Sequence, residues 1–573
     1  MTHDQGIPKE TTPLVSSASA GAPPSVASRV RSRSIPRDEE VTIPDNVWYI
    51  ILSLWTGSFL SAADTTIVST TANTIASVMH GSDKITWIAT SYLLTNAIFQ
   101  PLVGKISDVY GRRTTLLFAQ FWFAFGCLCC AISRTVTDFA IARALAGIGG
   151  GGMSALSSII VTDVIPLRMR GLFQGYANLV YGTGQFLGPI IGSIFLTANE
   201  TSGWRWMFGL QVPFVIFAGI LVQRNVHEFR LNSEELMKNR FQGSNLRKID
   251  LPGSLTLSIF IVSVLTLFSS TSSKQVELSI LFGIIGAASF YIVENYVAEE
   301  RIIPPEAFRG LLRMAAFIAL FGTMAVYSLN FVLPLYVQIV HDFSQLQLGI
   351  FNAFGVFAGA AGSLLAGWWL KEKERTRSDV VVKKAVNVSI VSTFGLFVGT
   401  FICMFCVRTL KPTLNRDDIN YYKMFAIASG FTLASLGQGS FLVSLLVLVV
   451  GEVGVRHQAT VTGMNYMFRS MGSVSGVGIS LGVYNMILYK ELYHYLITKG
   501  RENGDVIMRK LLDNSFFIRS GLPQAYIHKV LKIFRESLGD SLVTAFMMRS
   551  MALFLSILMR LYKPRAGRHS TIV

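Results

Sequence analysis

Between residues 47 and 562 the chain repeats one pattern: a run of about 20 mostly apolar residues, then a polar interruption. A run of that length crosses the hydrocarbon of a bilayer as an α-helix rising 1.5 Å per residue. Lipid offers no hydrogen bonds to the backbone, so a spanning segment must satisfy its own, and runs this long select helices rather than barrel strands. Fourteen spans are predicted, at about 47–70, 86–106, 114–133, 139–162, 172–196, 206–223, 252–271, 278–297, 314–338, 347–370, 386–407, 422–450, 461–486 and 543–562. The composition agrees: 15% of residues are charged and the mean hydropathy is +0.47, whereas soluble domains carry about 25% charged residues. The expected fold is therefore an all-α polytopic membrane protein, arranged six plus two plus six.

The predicted organisation is a disordered tail over 1–46, a six-helix bundle over 47–223, a linker with two extra helices over 224–311, a second bundle over 312–562 and a short tail over 563–573. An even number of spans puts both ends on one side. With the N-terminus in the cytosol, the inner loops hold twenty-one Lys and Arg and the short outer loops eight, so both tails are expected to be cytosolic. That distribution also accounts for the net charge of +16 as membrane orientation, and nucleic acid is not an expected partner. The long outer loop at about 487–542 has apolar residues at helical spacing and is expected to form one or two amphipathic helices over the outer mouth or the membrane surface.

The polar segments carry smaller signals. The five cysteines, Cys127, Cys129, Cys130, Cys403 and Cys406, lie in apolar runs without metal or redox spacing, which reads as packing. In the tail, Glu10, Leu14 and Val15 of "ETTPLV" fit an acidic dileucine sorting pattern that an adaptor would read. "NET" at Asn199 is a glycosylation sequon in a short outer loop. Gly147, Gly149 and Gly152 fit G-x-G-x-x-G, yet they sit inside a membrane-length run without a βαβ context, so the dinucleotide reading fails. There is no G-x-x-x-x-G-K-[ST], no nucleophile–base constellation and no metal-ligand cluster. Energy must come from a gradient or from the substrate itself; no cofactor is expected, the chain is not expected to be an enzyme, and a monomer is the expected state.

Chemistry concentrates in the first bundle. "GKISDVYGRRT" follows the second span: Gly104 and Gly111 permit close approach and a tight turn, Asp108 can pair with an arginine or a helix N-terminus, and Arg112 and Arg113 anchor the cytosolic face. In the fifth span, Gly184, Gly188 and Gly192 share one helix face, and Pro189 removes a backbone hydrogen bond; together they make a pliant seam. Asp64 stands in an otherwise apolar run, where an unpaired charge costs several kcal/mol. It lies about 9 Å from the outer end of its span, and Arg143 about 6 Å from the outer end of the fourth. The opposite charges can offset each other's desolvation. Facing a water-filled cavity, such a pair could exchange a proton or a cationic substrate. Polar and aromatic residues embedded in other spans form the candidate cavity set: Asn96, Gln100, Asn178, Tyr181, Gln185, Asn330 and Tyr336, with Gln438 and Asn465 as lesser members. Each also reads as an interhelical hydrogen bond. Glu294, Glu452 and Arg469 fall near cytosolic ends and read as anchors or gates.

The signature loop resembles G-x-x-x-D-x-x-G-R-[RK] of the major facilitator superfamily, and "GTGQFLGPIIGS" resembles its antiporter motif, G-x-x-x-G-P-x-x-G. Arg143 matches the buried arginine of the family's fourth helix. The stretch from "DTTIVSTTANTIAS" to "GQFLGPIIG" resembles the fourteen-helix drug:proton antiporter branch, and within it fungal vacuolar transporters of basic amino acids. The second bundle departs from the pattern: "AGWWLKEKERTR" keeps basic residues but no D-x-x-G-R-R. The resemblance implies two bundles rocking around a central cavity, a small cationic substrate, protons as coupling ions and a vacuolar membrane. A plasma-membrane drug:proton exporter and a non-transporting nutrient sensor of the same fold are the competing readings.

Overall fold

The computed structural model describes residues 46–79, 85–199, 202–226, 250–269, 273–298, 310–343, 345–372, 378–409, 421–453, 458–498, 504–513 and 517–562, all helical or connecting. The sorting motif at Glu10, Leu14 and Val15 lies outside the described residues. The long helices are α1 (Val47–Val78), α2 (Ile85–Tyr110), α3 (Arg112–Ile132), α4 (Val136–Val164), α5 (Leu167–Ala198), α6 (Gly203–Asn225), α7 (Leu251–Ser269), α8 (Ser273–Ile292), α9 (Gly310–His341), α10 (Gln345–Leu370), α11 (Ser378–Thr409), α12 (Tyr421–Val453), α13 (Gln458–Tyr493) and α14 (Gln524–Leu561). Twelve of them are long and apolar enough to cross a membrane; α2 and α7 are the two outside that set. Helix α2 trades hydropathy for a polar face that lines the central cavity, and the apolar part of α7 is the shorter run Pro252–Val264.

The helices pack as two equivalent halves. In the first, α1 packs on α5 and α6, α2 on α4, and α3 on α4 and α6. In the second, α9 packs on α13 and α14, α10 on α12, and α11 on α12 and α14, which repeats the first set step for step. The main contacts that join the halves are α5 with α10 and α2 with α13, with smaller ones between α5 and α12 and between α4 and α13, and each of these pairs is related by the repeat. Helices α7 and α8 pack on each other, and α7 leans on α2 and α13 at that seam. Small residues set the spacing, since lipid supplies no hydrophobic force to bring helices together: a Cβ on Gly126 of α3 would collide with the backbone of Ala146 on α4.

The end of the second half differs from the expectation of a long outer loop over 487–542. Helix α13 runs to Tyr493 and continues as a π turn to Thr498, and α14 begins at Gln524. Among the described residues, Gly504–Asp513 and Phe517–Ser520 add short helices between them. The physical reason is burial. Val530, Leu531, Phe534, Leu538 and Leu542 form a helical stripe, and Tyr484, Leu488, Leu492, Leu496 and Leu511 supply a partner surface for it. The second part of that segment is thus a continuous extension of the last helix, packed on its own bundle.

Candidate functional site

A cavity of about 2650 Å³ lies between the halves. It reaches from Ile194, Thr197 and Ala198 at the far end of α5 down to Val161 and Gln174 near the signature-loop end. There it is shut. Gly171 and Gly175 of α5 meet Gly367 and Ser363 of α10 so closely that a Cβ on Gly175 would sit 2.9 Å from the Ser363 carbonyl oxygen. Asn178 donates to Ser363 Oγ at 3.1 Å, Ser470 Oγ donates to Gln100 Oε1, and Gln458 donates to the Thr162 carbonyl at 3.0 Å. All of these bonds cross between the halves.

The cavity face of α2 is a stripe of Tyr92, Asn96 and Gln100 at four-residue spacing; on α5 it is Gln174, Asn178, Tyr181, Gln185 and Pro189. Asn330 and Gln438 also line it, so six of the seven named candidates and one lesser one sit on its wall. Tyr336 does not. Pro334 faces the cavity, and two residues further along a helix with 3.6 residues per turn is about 200° round it. Tyr336 is accordingly fully buried in the outer core of the second half, where its hydroxyl pairs with His341 Nε2 at 3.0 Å. Asn465 is buried away from the cavity, whereas Arg469 faces it.

Asp64 and Arg143 meet: Arg143 donates to Asp64 Oδ2 at 2.5 Å, and Gln211 Nε2 of α6 lies 3.4 Å from Oδ1. A capping box between Thr135 and Asp138 starts α4 at Val136, which puts Arg143 about 10 Å into the helix. Neither side chain lines the cavity; their exposures are 0% and 1%. Tyr92 touches both sides of that boundary. Its ring is a cavity wall and lies 4.4 Å from the Arg143 guanidinium, and its hydroxyl is 3.1 Å from Ser61 Oγ. The pair is thus held one aromatic ring behind the cavity, rather than directly on it. Sequence reasoning passed over Tyr92 and Gln211; the i−4 spacing of Tyr92 from Asn96 was the available signal.

The antiporter-motif glycines seat α5 on the part of α1 that carries Asp64. A Cβ on Gly184 would come within 2.6 Å of the Phe59 carbonyl oxygen, and one on Gly188 within 2.6 Å of that of Ala63. Gly192 is buried one turn on, and Pro189 faces the cavity.

At the signature loop, Gly111 turns the chain between α2 and α3 with φ 91°, a conformation that favours glycine. Arg112 is buried and ties three elements together: Asp108 at 2.8 Å, Ser107 Oγ at 2.5 Å and Asp163 at the end of α4 at 2.9 Å. Ser107 in turn donates to the Gly104 carbonyl at 2.8 Å, and Arg113 donates to Gln223 of α6 at 3.2 Å. Asp163 was not singled out from the sequence, although it stands in "VTDVIPLRMRG" at the matching end of α4. Asn199 caps α5 in an exposed position, its Oδ1 accepting from the Ser202 amide at 3.0 Å. Among the described residues no group of His, Cys, Asp and Glu is placed to hold a metal, and all five cysteines are unbridged.

Two equivalent helical bundles around a cavity that carries polar side chains on its wall and is shut at one end have the architecture of a membrane transporter. The family model of the Major Facilitator Superfamily matches residues 54–477, and the chain belongs to that superfamily. It is 35% identical over 524 residues to Vacuolar basic amino acid transporter 1 of Saccharomyces cerevisiae, covering 89% of this chain and 91% of that one. It is 31% identical over 503 residues to Multidrug resistance protein fnx1 of Schizosaccharomyces pombe, covering 87% and 89%. The solved proton:xylose symporter XylE shares the fold at TM-score 0.53, with 15% identity over 90% of this chain and 99% of that one.

Proposed function

We propose that this chain is a proton-coupled antiporter that carries basic amino acids, lysine, arginine and histidine, from the cytosol into the vacuole. The observation that carries the reading is the Asp64–Arg143 pair, sealed from water yet one ring away from the cavity. The substrate class follows the name of the Saccharomyces relative. In this reading all fourteen long helices cross the membrane, the bundles are 47–223 and 312–562 with α7 and α8 in the linker between them, and both tails are cytosolic. The signature loop is then on the cytosolic side, and the cavity opens to the lumen.

In the lumen-open state Asp64 takes a proton from the acidic lumen, which neutralises the carboxylate and frees Arg143. Rocking the halves breaks the contacts around Gly171, Gly367 and Gln458 and opens the other end. The proton leaves to the cytosol, and the restored carboxylate attracts the cationic end of an incoming amino acid. One acid serves both ions in turn, so neither crosses without the other. The network at Arg112 acts as the lock that forms and breaks. Asn96, Gln100, Asn178, Tyr181, Gln185 and Asn330 supply substrate contacts. A monomer suffices, the gradient replaces any cofactor, Glu10 to Val15 is the vacuolar address, and Asn199 is placed on the luminal side for glycosylation.

Uptake of labelled lysine, arginine and histidine into sealed vacuolar vesicles tests this, with and without a proton gradient. Gradient-driven uptake is expected for at least one of the three; absent or gradient-independent uptake of all three refutes it. The kinship with a multidrug resistance protein supports the second reading, a drug:proton exporter, for which lipophilic cations replace amino acids in the same assay.

A further inference from the structure

We propose that Arg469 binds the carboxylate of the transported amino acid, which makes a free carboxylate a requirement for transport. This rests on the reading that the substrate is a basic amino acid, and names the half of that substrate which the Asp64–Arg143 pair leaves unaccounted for.

Among the described residues that line the cavity, Arg469 is the one that carries a charge; no Asp, Glu, Lys or His stands on that wall. A cavity built only to attract cations would show the opposite sign. The fully buried arginines have defined partners: Arg143 has Asp64, Arg112 has Asp108 and Asp163, and Arg549 donates to the Gly322 carbonyl. Arg469 has no carboxylate within salt-bridge distance among the described residues, and its Nε is buried without a hydrogen-bond partner. Its guanidinium lies over the Tyr466 ring at 4.7 Å, a contact that steadies the cation without using its donors. A desolvated donor left unpaired is costly, and a planar guanidinium presents a fork that a carboxylate fills with two parallel bonds.

The position is built rather than incidental. Arg469 is eleven residues along α13, about 17 Å from its start, at the shut end of the cavity. Its backbone carbonyl accepts from Thr323 of α9 at 3.2 Å, and the next residue, Ser470, is bonded across to Gln100 of α2. Both halves therefore hold it. Tyr92, Tyr181, Tyr327 and Tyr466 line the same cavity as the guanidinium. A basic amino acid fits that arrangement end to end. Its carboxylate meets Arg469, its ammonium groups meet tyrosine faces and amide oxygens, and Tyr92 leads from there to Asp64. A lipophilic cation without a carboxylate leaves Arg469 unpaired and repelled.

The test uses the full chain in proteoliposomes with an acidic interior. Labelled lysine uptake is competed with unlabelled lysine, lysine methyl ester or 1,5-diaminopentane, for the wild type, Arg469→Gln and Arg469→Lys. In the wild type the ester and the diamine are expected to compete about 10- to 100-fold less well than lysine, the loss of one charge-assisted contact. Arg469→Gln should raise the KM for lysine by a similar factor and compete equally with lysine and its ester, and Arg469→Lys should fall between. Ester and diamine matching lysine in the wild type overturn the proposal while basic amino-acid transport stands, and so does an unchanged lysine-to-ester ratio in an active Arg469→Gln. The wild-type series decides alone if the variants fail to fold. Absence of lysine, arginine and histidine uptake by the wild type removes the transport reading itself, and this proposal with it.

Discussion

Replacing Asp64 with Asn separates what the buried pair does for stability from what it does for transport. The substitution keeps shape and one acceptor oxygen but leaves the Arg143 charge uncompensated at 1% exposure. Removing one partner of a buried pair costs about 3–5 kcal/mol. The retained amide oxygen keeps one hydrogen bond of about 1 kcal/mol, so a net loss of about 2–4 kcal/mol is expected. At about 2.1 cal/mol/K per residue, 573 residues have an unfolding entropy near 1.2 kcal/mol/K, and the melting temperature falls by about 2–3 °C. That is a floor, because helices persist when a membrane bundle comes apart and the true entropy per residue is smaller. Cys127 and Cys130 are fully buried beside the pair and unbridged, so a thiol-reactive dye reports the melt directly. The double variant Asp64→Asn/Arg143→Gln removes both charges and should regain most of the lost stability without regaining proton-driven uptake. An unchanged melting temperature in Asp64→Asn refutes the energetic account, and a double variant that still transports under a proton gradient refutes the coupling role.

Other expectations follow from the same geometry. Tyr92→Ala opens the Asp64 carboxylate to the cavity and should accelerate its modification by a water-soluble carbodiimide, whereas Tyr92→Phe keeps the ring over Arg143 and should leave the rate near wild type; equal rates in all three refute the shield. Asp163→Asn leaves Arg112 with Asp108 as its one carboxylate partner, at a cost of about 1–3 kcal/mol, the weakening of one charge-assisted bond, to the state that is shut at the signature-loop end. A cysteine introduced at Ser363 should then label faster from the signature-loop side. Gly188→Val drives side-chain atoms into the Ala63 carbonyl, which should displace Asp64 and cost about 1–3 kcal/mol, with transport falling much further than the melting temperature.

Much of this was legible in the sequence because lipid imposes few solutions. Apolar runs of about 20 residues can only be helices, so the long helices followed from length, while the two bundles around a cavity came from the resemblance. Depth is also one-dimensional, and counting 1.5 Å per residue was enough to bring Asp64 and Arg143 to the same level. What depth does not supply is rotation about the helix axis. Tyr336 has the right depth for the cavity but lies about 200° away from Pro334, and the reading of Arg469 as an anchor or gate left open that its side chain faces the cavity. Partners on distant helices were likewise invisible: nothing near Arg112 in sequence announces Asp163, and nothing near Asp64 announces Gln211. The segment at about 487–542 shows apolar residues at helical spacing, but the partner surface for its second part, formed by Tyr484, Leu488 and Leu492, comes from the previous helix, so its direction could not be read from its own residues.

The central claim is that lysine and protons move in opposite directions through one carboxylate. The most direct measurement loads proteoliposomes of the full chain with a pH-sensitive dye at acidic interior pH and adds lysine outside. The account predicts that lysine makes the interior more alkaline in the wild type and leaves it unchanged in Asp64→Asn. Lysine accumulation without any proton movement in the wild type, or an undiminished pH change in Asp64→Asn, contradicts it.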